Sequence, residues 1–72
     1  MNADEMFKKA DHRLEKGENY EIFKREVIGT NVIRFNYKSK TIVIMNTEDV
    51  PLIIQMEVVQ AISEKCKELG WL

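Results

Sequence analysis

The chain has 72 residues, 44% hydrophobic and 32% charged, with 11 basic against 12 acidic side chains and a net charge of -1. A chain this short makes a single domain that buries only about 60% of the surface its unfolded form exposes, yet its apolar content supports a core and sets it apart from a disordered tail. The balanced charge excludes a global field pulling it toward nucleic acid or anionic lipid, so an electrostatic partner must be met by a local patch.

The apolar runs, such as Ile42 to Met45 and Pro51 to Ile54, fall far below the ~18 residues that would span a bilayer. The acidic start Met1-Asn-Ala-Asp-Glu5 lacks an apolar signal core. With a single cysteine, Cys66, and hence no intramolecular disulfide, a cytosolic protein is expected.

Asn2 can cap a first helix, and Asp4 and Glu5 sit where its dipole favours negative charge. Two ends are open to it. Met6, Ala10 and Leu14 at four-residue spacing, with Gly17 as a left-handed cap, carry the helix to about Lys16. Alternatively, Asp11 ends a two-turn helix near Lys9, and His12 to Glu15 is a short strand joined by Lys16-Gly-Glu-Asn19 to the next one.

Tyr20 to Ile28 follows as a strand, with Tyr20 and Ile22 on one face and Phe23, Arg25 and Val27 on the other. Because Phe23 directly follows Ile22, both faces carry an apolar group there, which implies a covered second face or a bulge. Gly29-Thr30 then turns into the stretch from Asn31 to Met45. Ile33, Phe35 and Tyr37 alternate with Val32, Arg34 and Asn36, and β-branched residues crowd Thr41 to Ile44, so the period is two and Lys38-Ser39-Lys40 is a hairpin turn. Connections this short are antiparallel.

Asn46 to Asp49 is polar, and Val50-Pro51 is held extended. Beyond it Met56, Val59, Ile62, Cys66 and Leu69 recur at helical spacing, widened by Val58, while Glu57, Gln60, Glu64, Lys65, Lys67 and Glu68 take the wet side. Gly70 is a natural cap, and Trp71-Leu72 can fold back as an apolar lid. The expected class is α+β: a three- to four-stranded antiparallel meander packed on one face by an N-terminal helix and a longer C-terminal helix.

Four segments carry a resemblance: Ala3-Asp-Glu-Met-Phe-Lys-Lys9, Asn19-Tyr-Glu-Ile-Phe-Lys-Arg-Glu26, Tyr37-Lys-Ser-Lys-Thr-Ile-Val-Ile44 and Gln60-Ala-Ile-Ser-Glu-Lys-Cys-Lys-Glu-Leu-Gly-Trp71. Over most of its length the chain resembles small uncharacterised phage and prophage proteins of Gram-positive bacteria. The likeness lies in element lengths, turns and the Cys-x-x-Leu-Gly-Trp ending. It implies a helix, a meander of three or four strands and a C-terminal helix, with no activity to carry over, and it favours the early stop of the first helix. Where those proteins often carry Leu-Gly-Tyr after that helix, this chain has Ala10-Asp11-His12.

No chemistry stands out. A Cys66/His12 dyad is conceivable, but Cys66 lies on an apolar stripe where a thiol acts as a small hydrophobe, and His12 is expected at a solvated strand or helix end. One Cys and one His do not complete a zinc site. Asp4-Glu5 complements a helix start and Glu48-Asp49 solvates a loop. Gly17, Gly29 and Gly70 stand singly, without a phosphate-binding loop. Neither an enzyme nor a cofactor is expected.

Two binding functions remain. Lys24, Arg25, Arg34, Lys38 and Lys40 cluster around the sheet, and Phe23 with Arg25 and Arg34 could form a small platform for nucleic acid. Against it, Phe35 and Tyr37 fall opposite Arg34, and the acidic balance leaves little counterion release. If the helices cover Ile33, Phe35, Tyr37, Ile42 and Ile44, the other face presents Phe23, Val32, Val43 and Met45 between Arg25, Arg34 and Thr41. That is more apolar than a free sheet surface requires, unless the residues are scattered singly. The leading expectation is a protein-interaction module acting through Phe23, Arg25, Val32, Arg34, Val43 and Met45, with an unknown protein or a second copy as partner. An exposed edge strand is a further route to a partner.

Overall fold

The first turn is set by Asn2. In the computed structural model, which describes residues 1–72, its side-chain oxygen accepts a 2.9 Å hydrogen bond from the Glu5 amide and caps α1, Ala3–Lys9. Asp4 and Glu5 occupy the first turn and Lys8 and Lys9 the last, the order the helix dipole favours. The chain takes the early stop. Asp11 adopts φ of 62°, and the helix end is wrapped by bonds from the His12 amide to Phe7 O (3.0 Å) and from the Asp11 amide to Lys8 O (3.1 Å). These two bonds define a Schellman motif. Its usual closing contact is supplied by two rings, Phe7 and His12, edge-on with centroids 5.5 Å apart. His12 is therefore a helix-end residue as expected, but a buried one.

Four strands follow, β1 (Arg13–Lys16), β2 (Tyr20–Val27), β3 (Gly29–Asn36) and β4 (Thr41–Asn46), paired in chain order as an antiparallel meander. The β2–β3 turn is tight because Gly29 adopts φ of 73°. A Cβ there would come within 2.6 Å of Asn46 Oδ1, so the position takes glycine on two counts. Register runs unbroken along β2, with no bulge at Phe23. Phe23 stands opposite Ile33 and Glu21 opposite Phe35, and directly opposed residues share a face. One face accordingly closes around Phe23, Ile33 and Phe35, the two phenylalanines meeting edge-on at 5.9 Å. Tyr37 and Ile42 are half-buried at its margin, whereas Ile44, expected inside, is 39% exposed because its strand is the last in the sheet.

The last element is α2, Met56–Glu68. Its end repeats the motif of α1, with Gly70 at φ of 76° and bonds from the Trp71 amide to Cys66 O (2.8 Å) and the Gly70 amide to Lys67 O (3.0 Å). Trp71 is half-buried and Leu72 exposed. The buried side of α2 is rotated from the expected stripe. Val58, Ala61, Lys65 and Cys66 are inside, while Met56 and Val59 face solvent. What rotates it is α1: the Lys65 ammonium reaches Asp4 Oδ1 at 2.7 Å, and Glu68 accepts from the Ala3 amide at 2.8 Å. Lys65 thus belongs to the inner side, not the wet one.

The architecture is α+β, an N-terminal helix, a four-stranded antiparallel sheet and a C-terminal helix. Two compact units compose it: Met1–His12 with Ile53–Leu72, holding both helices, and Arg13–Leu52, holding the sheet. Asp11 is a non-glycine residue in a conformation glycine adopts without steric penalty. Asp11→Gly should raise stability by about 0.5–1 kcal/mol, read as a higher midpoint in thermal unfolding followed by circular dichroism.

Candidate functional site

Alternation divides the six residues expected to form one interaction face. Val32, Arg34, Val43 and Met45 do lie together on the open face of the sheet, Val32 opposite Met45 and Arg34 opposite Val43. Phe23 and Arg25 do not. Their pairing with Ile33 and Asn31 turns both toward the closed face, where Phe23 is 1% exposed. The platform of Phe23, Arg25 and Arg34 is therefore split between two faces, and a ring this buried offers no surface for a base to stack on. Alternation within β2 already separated Phe23 from Ile22. Which of the two shares a side with Val32 depends on register, and only pairing supplies that.

The places of Phe23 and Arg25 on the open face are taken by Tyr20 and Ile22. The Arg34 guanidinium lies over the Tyr20 ring, 4.2 Å from its centroid, and its Nε donates to Asn36 Oδ1 at 2.7 Å. Arg34 is thereby held flat, its aliphatic stem adding to the apolar area. Alternation in Tyr20-Glu-Ile22 was the available signal for this pair.

Charge and apolar surface are segregated across that face. On the β1 side, Lys24 bridges Glu15 (2.7 Å) and Arg13 bridges Glu26 (3.0 Å). The ammonium of Lys24, donating to Glu15, holds that carboxyl below its ordinary range. On the β4 side, Val43 and Met45 are 43% and 47% exposed, next to half-buried Val32. The two edges of the sheet differ in the same way. β1 has four residues, three of them charged, whereas β4, Thr-Ile-Val-Ile-Met-Asn, has no charge and four consecutive apolar residues. Charged, short edges resist strand addition and apolar ones invite it.

No protein-family model, curated protein or solved structure matches this chain.

Elsewhere the side chains singled out for chemistry have structural surroundings. Cys66 is buried on the inner side of α2, and loss of hydration pushes its thiol up. His12 approaches Ala10 O through Nδ1 at 2.8 Å. Asp4 engages Lys65, and Glu48 and Asp49 are exposed. No three His, Cys, Asp or Glu side chains gather into a group able to hold a metal ion, and no helix is long and apolar enough to cross a membrane. Apolar side chains also reach solvent in the helical unit, at Ile53, Met56 and Val59.

A thiol whose folded pKa is raised stays protonated where the unfolded chain ionises. Its contribution to stability is fully present below the ordinary thiol pKa and declines as pH rises beyond it. Native Cys66 should react with a disulfide reagent about tenfold or more slowly than in the urea-unfolded chain, and the urea midpoint should fall at alkaline pH. A reaction rate equal in both states would remove the burial argument.

Proposed function

We propose that the protein is a non-enzymatic accessory protein of the phage and prophage type that works in the cytosol as a protein-binding module. Its binding region is the β3–β4 side of the open sheet face. The observation that supports this is the segregation of that face. Ion pairs close the β1 side, while Val43 and Met45 stand exposed together, bordered by Val32 and by Arg34, which stacks on Tyr20. Contiguous apolar surface rimmed by polar groups is the common form of a protein interface. A flat aromatic with an arginine over it is, moreover, the kind of rigid pair from which interface anchors are built. The resemblance to small phage proteins supports the accessory role, and the single buried thiol agrees with a reducing compartment.

Nucleic acid is the less favoured occupant, since the aromatic that would have stacked a base is inside and Lys24 already bridges Glu15. The chain should bind protein, its own copy or another, and lose it on charging the patch. Immobilised wild-type chain should retain a protein partner that Val43→Glu loses by about tenfold or more in affinity. The thermal midpoint should hold within a few degrees, because Val43 is solvent-exposed on an edge strand. Retention unchanged by Val43→Glu, or none by the wild type toward itself or a host or viral extract, would overturn the proposal.

A further inference from the structure

We infer that the partner is a second copy of this chain, joined edge to edge through β4 so that the two sheets continue across a two-fold axis at Ile44. This rests on the proposed protein-binding role and names its occupant. The first support is backbone polarity. Thr47 donates its amide to Thr30 O at 3.0 Å, continuing the β3–β4 register. Antiparallel alternation then turns the backbone groups of Thr41, Val43 and Met45 toward β3, and those of Ile42, Ile44 and Asn46 outward from the last strand of the sheet.

Those outward groups are self-complementary. A two-fold axis normal to an antiparallel ribbon sets a residue opposite itself. Centred on Ile44, the axis places Ile44 against the partner's Ile44 and Ile42 against the partner's Asn46, both as amide–carbonyl exchanging pairs. Val43 then meets the partner's Met45 on the open face. The exposed part of Ile44 is covered, and the apolar strip of Val43 and Met45 becomes continuous across the junction.

Charge selects the same arrangement. β4 has none of its own, but Lys38 and Lys40 precede it and Glu48 and Asp49 follow it, all exposed. Parallel addition of a second copy would set lysine beside lysine. The antiparallel register centred on Ile44 brings the lysine end of each strand to the carboxylate end of the other, and the symmetry does so twice. At the other edge, Arg13, Glu15 and Lys16 crowd a four-residue strand whose Arg13 and Glu15 are already engaged in ion pairs. A single six-residue edge is a small interface, so dissociation on the order of micromolar is expected.

Sedimentation equilibrium over a wide concentration range, with amide hydrogen exchange followed residue by residue, tests the inference on the whole chain. The wild type should pass from monomer to dimer. The amides of Ile42, Ile44 and Asn46 should gain protection as concentration rises, while those of Val43 and Met45 are protected throughout. Lys40→Glu and Glu48→Lys should each weaken the dimer about tenfold, and the double exchange should restore it. These positions are exposed, so folding is not at stake. A monomer at every concentration would overturn the inference and leave binding to another protein standing. A dimer indifferent to both reversals but dissolved by Val32→Glu would overturn the edge pairing and keep the open-face role. A dimer indifferent to all three changes would overturn both.

Discussion

Phe23 and Ile33 face each other across β2 and β3, and from that one opposition the orientation of every strand side chain in the sheet follows. Because successive residues point to opposite sides, placing Phe23 on the closed face places Glu21 and Arg25 there too, and sends Tyr20, Ile22 and Lys24 to the other. The pairing carries through β3 into β4 and through β2 into β1 without interruption. A slip by one residue would have exposed Phe35 and buried Arg34. In the observed register the rings of Phe23 and Phe35 meet edge-on, 5.9 Å apart.

The open face is shaped by the same constraint. It receives whatever the closed face does not use: on β1 and the end of β2 charges that pair with one another, on the start of β2 Tyr20 and Ile22, and on β3 and β4 β-branched and thioether side chains beside an arginine stacked on Tyr20. The edges inherit this contrast. A meander has two of them, and here one is guarded by charge while the other is bare. Natural sheets usually guard both. An unguarded β4, framed by lysines at its start and carboxylates at its end, is the feature of the molecule that least resembles a surface meant only for water.

The helical unit solves a different problem, how two short helices end. Both do so with the same bond pattern and a left-handed residue, aspartate after α1 and glycine after α2. Between them, the Lys65–Asp4 and Glu68–Ala3 contacts dock α2 on the start of α1 with charged and polar groups rather than with the apolar stripe alone. A lysine stem is long enough to lie inside while its head finds a carboxylate. That accounts for a lysine on the buried side and for Met56 and Val59 on the exposed one.

Local chemistry in the sequence determined the elements themselves. Asn2 caps, Gly70 ends α2, period-two alternation from Asn31 makes strands, and connections too short to cross over make them antiparallel; each depends on neighbours within a few residues. The end of the first helix stayed open because Met6, Ala10 and Leu14 satisfy helical spacing as well as Asp11 satisfies a stop. The contact of Phe7 with His12 goes with the stop. The site was legible by halves. Val32, Arg34, Val43 and Met45 belong to neighbouring strands of one hairpin, whose turn sets their register. Phe23 and Arg25 lie across a second pairing, and spacing alone does not say which side of that strand meets which. Only the tertiary structure decided that side, the burial of Lys65 and the bareness of the β4 edge, because each depends on groups distant in the chain.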